Sequence, residues 1–173
     1  MKKMTTPQYV ASSKIEWAAI YAAPFGKIGV QTEMVDQSLM LSRIVYLDKT
    51  DKAICPKNQL AHQVIEQIEA YLQNPNSIFD LPLKPKGTIF QERVWEVIRQ
   101  IPLGDVLTYG SVAKKIQSAP RAVGGACGAN PYPLIVPCHR VVGVNSIGGF
   151  AGEDREGYHR QIKTWLLHHE KVI

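Results

Sequence analysis

Cys138, His139 and Arg140 follow one another in the segment Asn130-Pro131-Tyr132-Pro133-Leu134-Ile135-Val136-Pro137-Cys138-His139-Arg140-Val141-Val142. A thiol attacks as its thiolate, and neighbouring groups that can carry positive charge lower its pKa from about 8.5. A cysteine beside a histidine and an arginine therefore points to nucleophilic chemistry, against the commoner role of a lone buried cysteine as an inert small hydrophobe. On an extended strand His139 would point away from Cys138. A working pair then requires a sharp bend or a bridging water. Cys55, before a proline in a connector, and Cys127 are not expected to be nucleophiles.

Just upstream, Arg121-Ala122-Val123-Gly124-Gly125-Ala126-Cys127-Gly128 offers one long polar side chain among six Ala, Gly or Cys residues. Small residues allow a helix backbone to approach a narrow minor groove, and equally allow tight helix packing in a core. Arg121, at the exposed start of the segment, favours a nucleic-acid contact. From Val106 to Phe150 there is no Asp or Glu, and the cations are Lys114, Lys115, Arg121 and Arg140. Such a stretch suits a surface that meets phosphates, or a buried glycine-rich core.

These residues need elements to hold them. Trp17 to Val30 reads as two short strands around a turn at Pro24-Phe25-Gly26-Lys27, and Ser42–Leu47 as a third strand. Asn58 caps a helix with apolar positions Leu60, Val64, Ile65, Ile68, Tyr71 and Leu72, which Asn74-Pro75-Asn76 ends. Nothing in this first part resembles a catalytic site. Pro82–Gly87 is an extended connector and the expected boundary between domains 1–86 and 87–173. Thr88 and Gln91 form a capping box for a helix with Phe90, Val94, Trp95, Val97, Ile98 and Ile101 on its apolar face. Thr108 caps a short helix over Tyr109–Ile116, and Pro120 opens another carrying Arg121. Two short helices across a tight turn suggest a helix-turn-helix whose second member is the recognition helix.

The whole chain sets outer bounds. It has 173 residues, 45% hydrophobic and 20% charged, with net charge +5, which excludes a disordered chain. No apolar run approaches the roughly 20 residues of a membrane span, and the first fourteen residues, lacking an apolar signal core, read as a frayed tail. Three cysteines are too few and too irregular for a disulfide framework or a cysteine zinc site. A soluble cytoplasmic protein without metal is expected.

The hexapeptide PCHRVV, preceded by RAVGGA and an Asn-Pro, resembles the active-site region of the methylated-DNA–protein-cysteine methyltransferases, the O6-alkylguanine-DNA alkyltransferases. FQERVWEVIRQIPLGDVLTYGSVA resembles that family's helix and the start of its helix-turn-helix, and WLLHHE its C-terminal helix. The resemblance spans Phe90 to Glu170. It implies an N-terminal ribonuclease-H-like α/β domain and a mostly α C-terminal helix-turn-helix domain of winged-helix type.

The resemblance also implies roles. Cys138 would accept the alkyl group, His139 would act as base through a bridging water, and Glu170 would orient that histidine. Tyr109 would donate a proton to the departing guanine and also touch DNA, while Asn130 would hold the turn that presents the cysteine. Arg121 would be the finger that fills the gap left by a rotated-out nucleotide, with Ala122 and Gly124 on the approaching helix. Pro133, Val136, Gly149, Phe150, Ala151 and Gly152 would line the base pocket. The partner would be double-stranded DNA containing O6-alkylguanine. The protein would act as a stand-alone monomer, once per molecule, with no cofactor.

Two departures from the family pattern stand out. Phe150-Ala151 replaces a tyrosine and a frequent hydroxyl residue in the pocket wall, which bears on substrate range. The charged linker Glu153–Arg160 is longer than usual. A Cys-His-Glu hydrolase and a helix-turn-helix regulator are the competing readings.

Overall fold

The computed structural model describes residues 16–148 and 157–173. The expected frayed tail, the pocket-wall residues Gly149, Phe150, Ala151 and Gly152, and the first half of the charged linker (153–156) lie outside the described residues. Three strands come first: β1 (Ala19–Ala23), β2 (Gly26–Val35) and β3 (Ser38–Leu47), antiparallel in the order β1-β2-β3. The first turn lies where Pro24 and Gly26 mark it. The second hairpin is longer than the sequence pattern indicates and turns at Asp36-Gln37, with φ of +46° and +67°. Positive φ at both positions fits the twist of the flanking strands. An Asp-Gln pair carries little turn signal, and a register shift at Gln31/Thr32 interrupts the alternation that would have revealed the strand ends.

Helix α1 (Gln59–Gln73) starts where Asn58 accepts a hydrogen bond from the Ala61 amide at 2.8 Å. It buries Leu60, Ala61, Val64, Ile68 and Tyr71. Beyond it, the Pro-rich connector runs beside β3, with the Leu41 amide donating to Pro82 O and the Lys84 amide to Leu41 O, each at 2.8 Å. Helix α2 (Ile89–Arg99) begins with both halves of the Thr88–Gln91 capping box formed.

A short strand, β4 (Leu107–Thr108), leads into α3 (Tyr109–Lys115), capped by Thr108, and then α4 (Pro120–Gly128). Gln117, at φ +55°, makes the tight turn between them. Helix α2 clamps both: Arg93 donates to Ile116 O at 2.9 Å, closing the end of α3, and Trp95 Nε1 donates to Ala126 O at 2.9 Å. After a loop come a single 3-10 turn at Cys138–Arg140, β5 (Val141–Val142) parallel to β4, and α5 (Tyr158–His169).

The result is a mixed α/β fold with a small sheet and five α-helices among the described residues. One apolar cluster runs from Ile28, Val30 and Leu41 of the sheet to Val94, Val123 and Ile162 of the helices. Helix α5 docks on the sheet through Tyr158, whose hydroxyl donates to Leu47 O at 2.8 Å. A Cβ at Gly26 (φ +146°) would fall 1.7 Å from the Tyr158 hydroxyl oxygen, so the position favours glycine.

Candidate active site

Pro137 supplies the bend that places Cys138. The Cys138 amide donates back to Val136 O at 2.8 Å, and Pro137 sits at φ −79°, ψ 66°, an inverse γ-turn. The chain then winds into the 3-10 turn, so Cys138 and His139 do not alternate across a strand. Upstream, buried Leu134 adopts φ +75°, an uncommon conformation for an aliphatic side chain. Asn130 holds this loop together. Its Nδ2 donates to Val136 O at 2.8 Å and to Cys138 Sγ at 3.2 Å, and its Oδ1 accepts from the Tyr132 amide at 2.9 Å. The Tyr132 hydroxyl reaches Leu41 O and Lys84 O, tying the loop to β3 and the connector.

His139 and Glu170, both buried, meet with Nε2 and Oε1 2.7 Å apart. The carboxylate also accepts from Tyr71 at 2.8 Å and from Arg140 Nε and Nη2 at 2.9 and 3.0 Å. Burial alone would raise the Glu170 pKa, but the bonds from His139 and Arg140 outweigh it and bring it down to about 2. Burial lowers the His139 pKa by more than Glu170 raises it, so the imidazole is neutral at physiological pH. Its buried Nδ1 has no hydrogen-bond partner among the described residues.

The expectation that His139 and Arg140 would charge the thiol is therefore corrected. His139 is held neutral, and Arg140 is spent on Glu170 and on Ile101 O, to which it donates at 2.8 Å. The cation that acts on the thiol is Lys163 of α5, fully buried, with Nζ donating to Val141 O at 2.6 Å. Burial lowers its pKa to about 8, against the opposing pull of Cys127 and Cys138. The thiols of Cys127 and Cys138 line the same cleft and act on each other electrostatically. The neighbouring Cys127 thiol and burial hold Cys138 well above the ordinary thiol pKa, while Asn130 and Lys163 pull it down. The resting group is a neutral thiol that must hand over its proton to react.

Tyr109 opens α3, with Lys163 Nζ 5.7 Å from its ring centroid. A Cβ at Gly148 (φ +75°) would lie 2.9 Å from Tyr109 Cε2, so glycine there lets the chain pass close to the ring. Arg121 is exposed in the first turn of α4, as are Lys114 and Lys115 on α3. Ala122 is half-buried. Gly124 and Gly125 have no heavy atom within 4 Å of where a Cβ would sit. Tight core packing therefore does not explain these two glycines, and the small-residue face of α4 is open.

A cleft of about 220 Å³ reaches Cys138 between β3 and the helical half, lined by Arg43, Tyr46, Cys127, Asn130, Pro133 and His159. Val136 is fully buried and turns only its carbonyl to Asn130. The first half of the chain, in which the sequence shows no catalytic features, thus supplies Tyr71 to the carboxylate and Arg43 and Tyr46 to the cleft. Neither these residues nor Lys163 stand in a motif. Only the spacing of Tyr71 and Lys163 on the buried faces of amphipathic helices marks them.

Residues 89–172 match the family model described as 6-O-methylguanine DNA methyltransferase, DNA binding domain. A probable methylated-DNA–protein-cysteine methyltransferase of Acanthamoeba polyphaga mimivirus is 38% identical over 151 residues, covering 82% of this chain and 97% of that protein. The methylated-DNA–protein-cysteine methyltransferase of Methanosarcina mazei is 41% identical over 119 residues, 64% of this chain and 75% of that protein. Among solved structures, the O6-methylguanine methyltransferase of Mycobacterium tuberculosis superposes with a TM-score of 0.69 at 30% identity, covering 88% of this chain and 90% of that one. A complex of the M. tuberculosis protein with DNA gives 0.70 at 31% identity, covering 88% and 91%. With a viral relative matched along nearly its whole length and a shared fold across both halves, this chain belongs to the methylated-DNA–protein-cysteine methyltransferase family.

Proposed function

We propose that the protein repairs double-stranded DNA by moving the O6-alkyl group of guanine irreversibly onto Cys138, once per molecule. The observation that carries this reading is the buried neutral His139, held by Glu170 at 2.7 Å, next to a thiol that needs a base. A water between His139 Nδ1 and Cys138 Sγ passes the thiol proton to the imidazole, and Glu170 stabilises the imidazolium. The thiolate attacks the methyl carbon, the S–C bond forms, and the C–O bond breaks. Tyr109 protonates the departing guanine, and Lys163 beside its ring stabilises the phenolate that results. The product is a neutral thioether that water does not readily cleave, hence one turnover. The displacement needs only a thiolate and a proton, and so no cofactor.

Arg121, Ala122 and Gly124 meet the DNA, with Arg121 filling the stack behind the extruded base. Pro133, which lines the cleft beside Cys138, contributes to the base pocket, and the family resemblance assigns Val136, Gly149, Phe150, Ala151 and Gly152 to it as well. The finer fold reading is a ribonuclease-H-like N-terminal domain (1–86), supported by the antiparallel β1-β2-β3 and the following helix. A winged-helix-like C-terminal domain (87–173) is supported by α3, α4 and the extent of the matched family model. The protein works as a cytoplasmic monomer.

The test is mass spectrometry after mixing with an excess of O6-methylguanine duplex. One methyl gained per protein, on the Cys138 peptide and absent in Cys138→Ser, is the expected result. Repeated demethylation by one molecule would mark a hydrolase, and DNA binding without transfer a regulator. Either outcome overturns the proposal.

A further inference from the structure

We propose that Cys127 is a redox partner of Cys138: a peroxide joins the two as an intramolecular disulfide that closes the acceptor thiol, and a dithiol reopens it. Cys127 lies in the last turn of α4 and Cys138 opens the 3-10 turn, yet both side chains line one cleft and interact there. Disulfides form between cysteines whose Cβ atoms lie roughly 4 Å apart, and so between neighbours that share one cleft. Both residues line the cleft of about 220 Å³, wide enough to admit a molecule the size of hydrogen peroxide. The Lys163 ammonium acts on both sulfurs and favours a thiolate on either.

The chemistry balances. One thiolate attacks the O–O bond and becomes a sulfenic acid as the peroxide's other oxygen leaves as water. The second thiol displaces the sulfenic hydroxyl, again as water, and the S–S bond forms. Two electrons pass from the sulfurs to the peroxide, and a dithiol returns them by exchange. Whichever sulfur is oxidised first, the other lies in the same cleft to resolve it. Closing the disulfide removes the sulfenic acid before further peroxide can carry it to sulfinic acid, so Cys138 stays recoverable.

The disulfide does not require Cys138 to be the alkyl acceptor, but its consequence for repair rests on that reading. The test uses full-length Cys55→Ser protein, which lacks the exposed thiol, treated with a small excess of hydrogen peroxide. The expected result is loss of two hydrogens in intact mass and a non-reduced peptide linking Cys127 to Cys138. Methyl transfer should fall in proportion to the linked fraction and return with dithiothreitol. Adding Cys127→Ala, and measuring against that protein's own untreated activity, should let sulfinic acid build up at Cys138 faster, leaving a larger share of the loss that dithiothreitol does not restore. Oxygen addition at Cys138 without a linked peptide overturns the proposal, as does equal build-up of sulfinic acid at Cys138 with and without Cys127. A linked peptide in a protein that never takes a methyl at Cys138 would sink the acceptor assignment and leave the disulfide standing.

Discussion

Glu170 holds His139 at 2.7 Å from the far end of α5, and the same carboxylate anchors Tyr71 and Arg140. Glu170→Gln keeps the shape and removes the charge, leaving the Arg140 guanidinium without its counter-ion. Breaking a buried pair in this way should cost on the order of 3 kcal/mol, read from urea unfolding. Methyl transfer should slow by roughly 100-fold, the scale of lost general-base assistance. A stable variant with unchanged transfer would show that His139 needs no anionic support.

Acid should weaken the fold in two stages. The folded pKa of His139 is below the ordinary 6.5, so as pH falls through 6.5 the unfolded chain takes up a proton that the native protein refuses. Stability drops there first. The folded pKa of Glu170 is depressed from 4.5 to about 2, so its contribution is complete above 4.5 and is lost as pH falls from there towards 2. Urea midpoints measured from pH 7.5 downward should trace both stages, with Glu170→Gln lacking the lower one. A flat midpoint between pH 7.5 and 5 would mean that the native imidazole protonates as readily as the unfolded one.

Lys163→Met preserves the length of the buried stem while removing the cation beside the thiols. Cys138 should then be harder to ionise, and transfer at neutral pH should fall roughly tenfold, the scale of one lost favourable charge beside the thiolate. The Val141 carbonyl loses its donor, worth about 1 kcal/mol of stability. The pH–rate profile separates the two effects, because only loss of the charge moves the profile to higher pH.

Arg121→Ala distinguishes base extrusion from phosphate binding. A phosphate contact alone would lower the salt slope by about one and leave transfer from bound duplex unchanged. A finger in the stack stabilises a state that costs a few kcal/mol to form, so its loss should slow transfer even at saturating duplex. Free O6-alkylguanine base, which needs no extrusion, should react at nearly the original rate. We expect that second pattern, since Arg121 is exposed beside a helix face that is open at Gly124 and Gly125. Equal losses on duplex and free base would show damage to the Cys138 pocket instead.

Local chemistry was readable from the sequence. The Thr88–Gln91 capping box, the Asn58 and Thr108 caps and the proline at the start of α4 lie within a turn of the groups they serve. The electrostatics of the thiol were not, because adjacency misleads at the 3-10 turn. Arg140 neighbours the site in sequence but is turned onto Glu170, whereas Lys163 arrives from a helix well downstream. Tyr71 is hidden for a related reason: its buried position on α1 reads as plain core, and only the fold brings its hydroxyl to a carboxylate 99 residues away. The Asp36-Gln37 hairpin was illegible because neither residue advertises a left-handed backbone.

The bond from Tyr71 to Glu170 and that from the Ile44 amide to Pro131 O, 2.9 Å long, cross between the two halves of the chain at the reactive centre. The halves are thus not exchangeable parts. A chimera that keeps residues 87–173 but borrows its first half from a relative would assemble a complete base only if the donor brings a hydroxyl to the place of Tyr71. A donor with phenylalanine there would leave one lone pair of the carboxylate unclaimed. Chimeras sorted by that one residue would separate fitness of the graft from fitness of the fold.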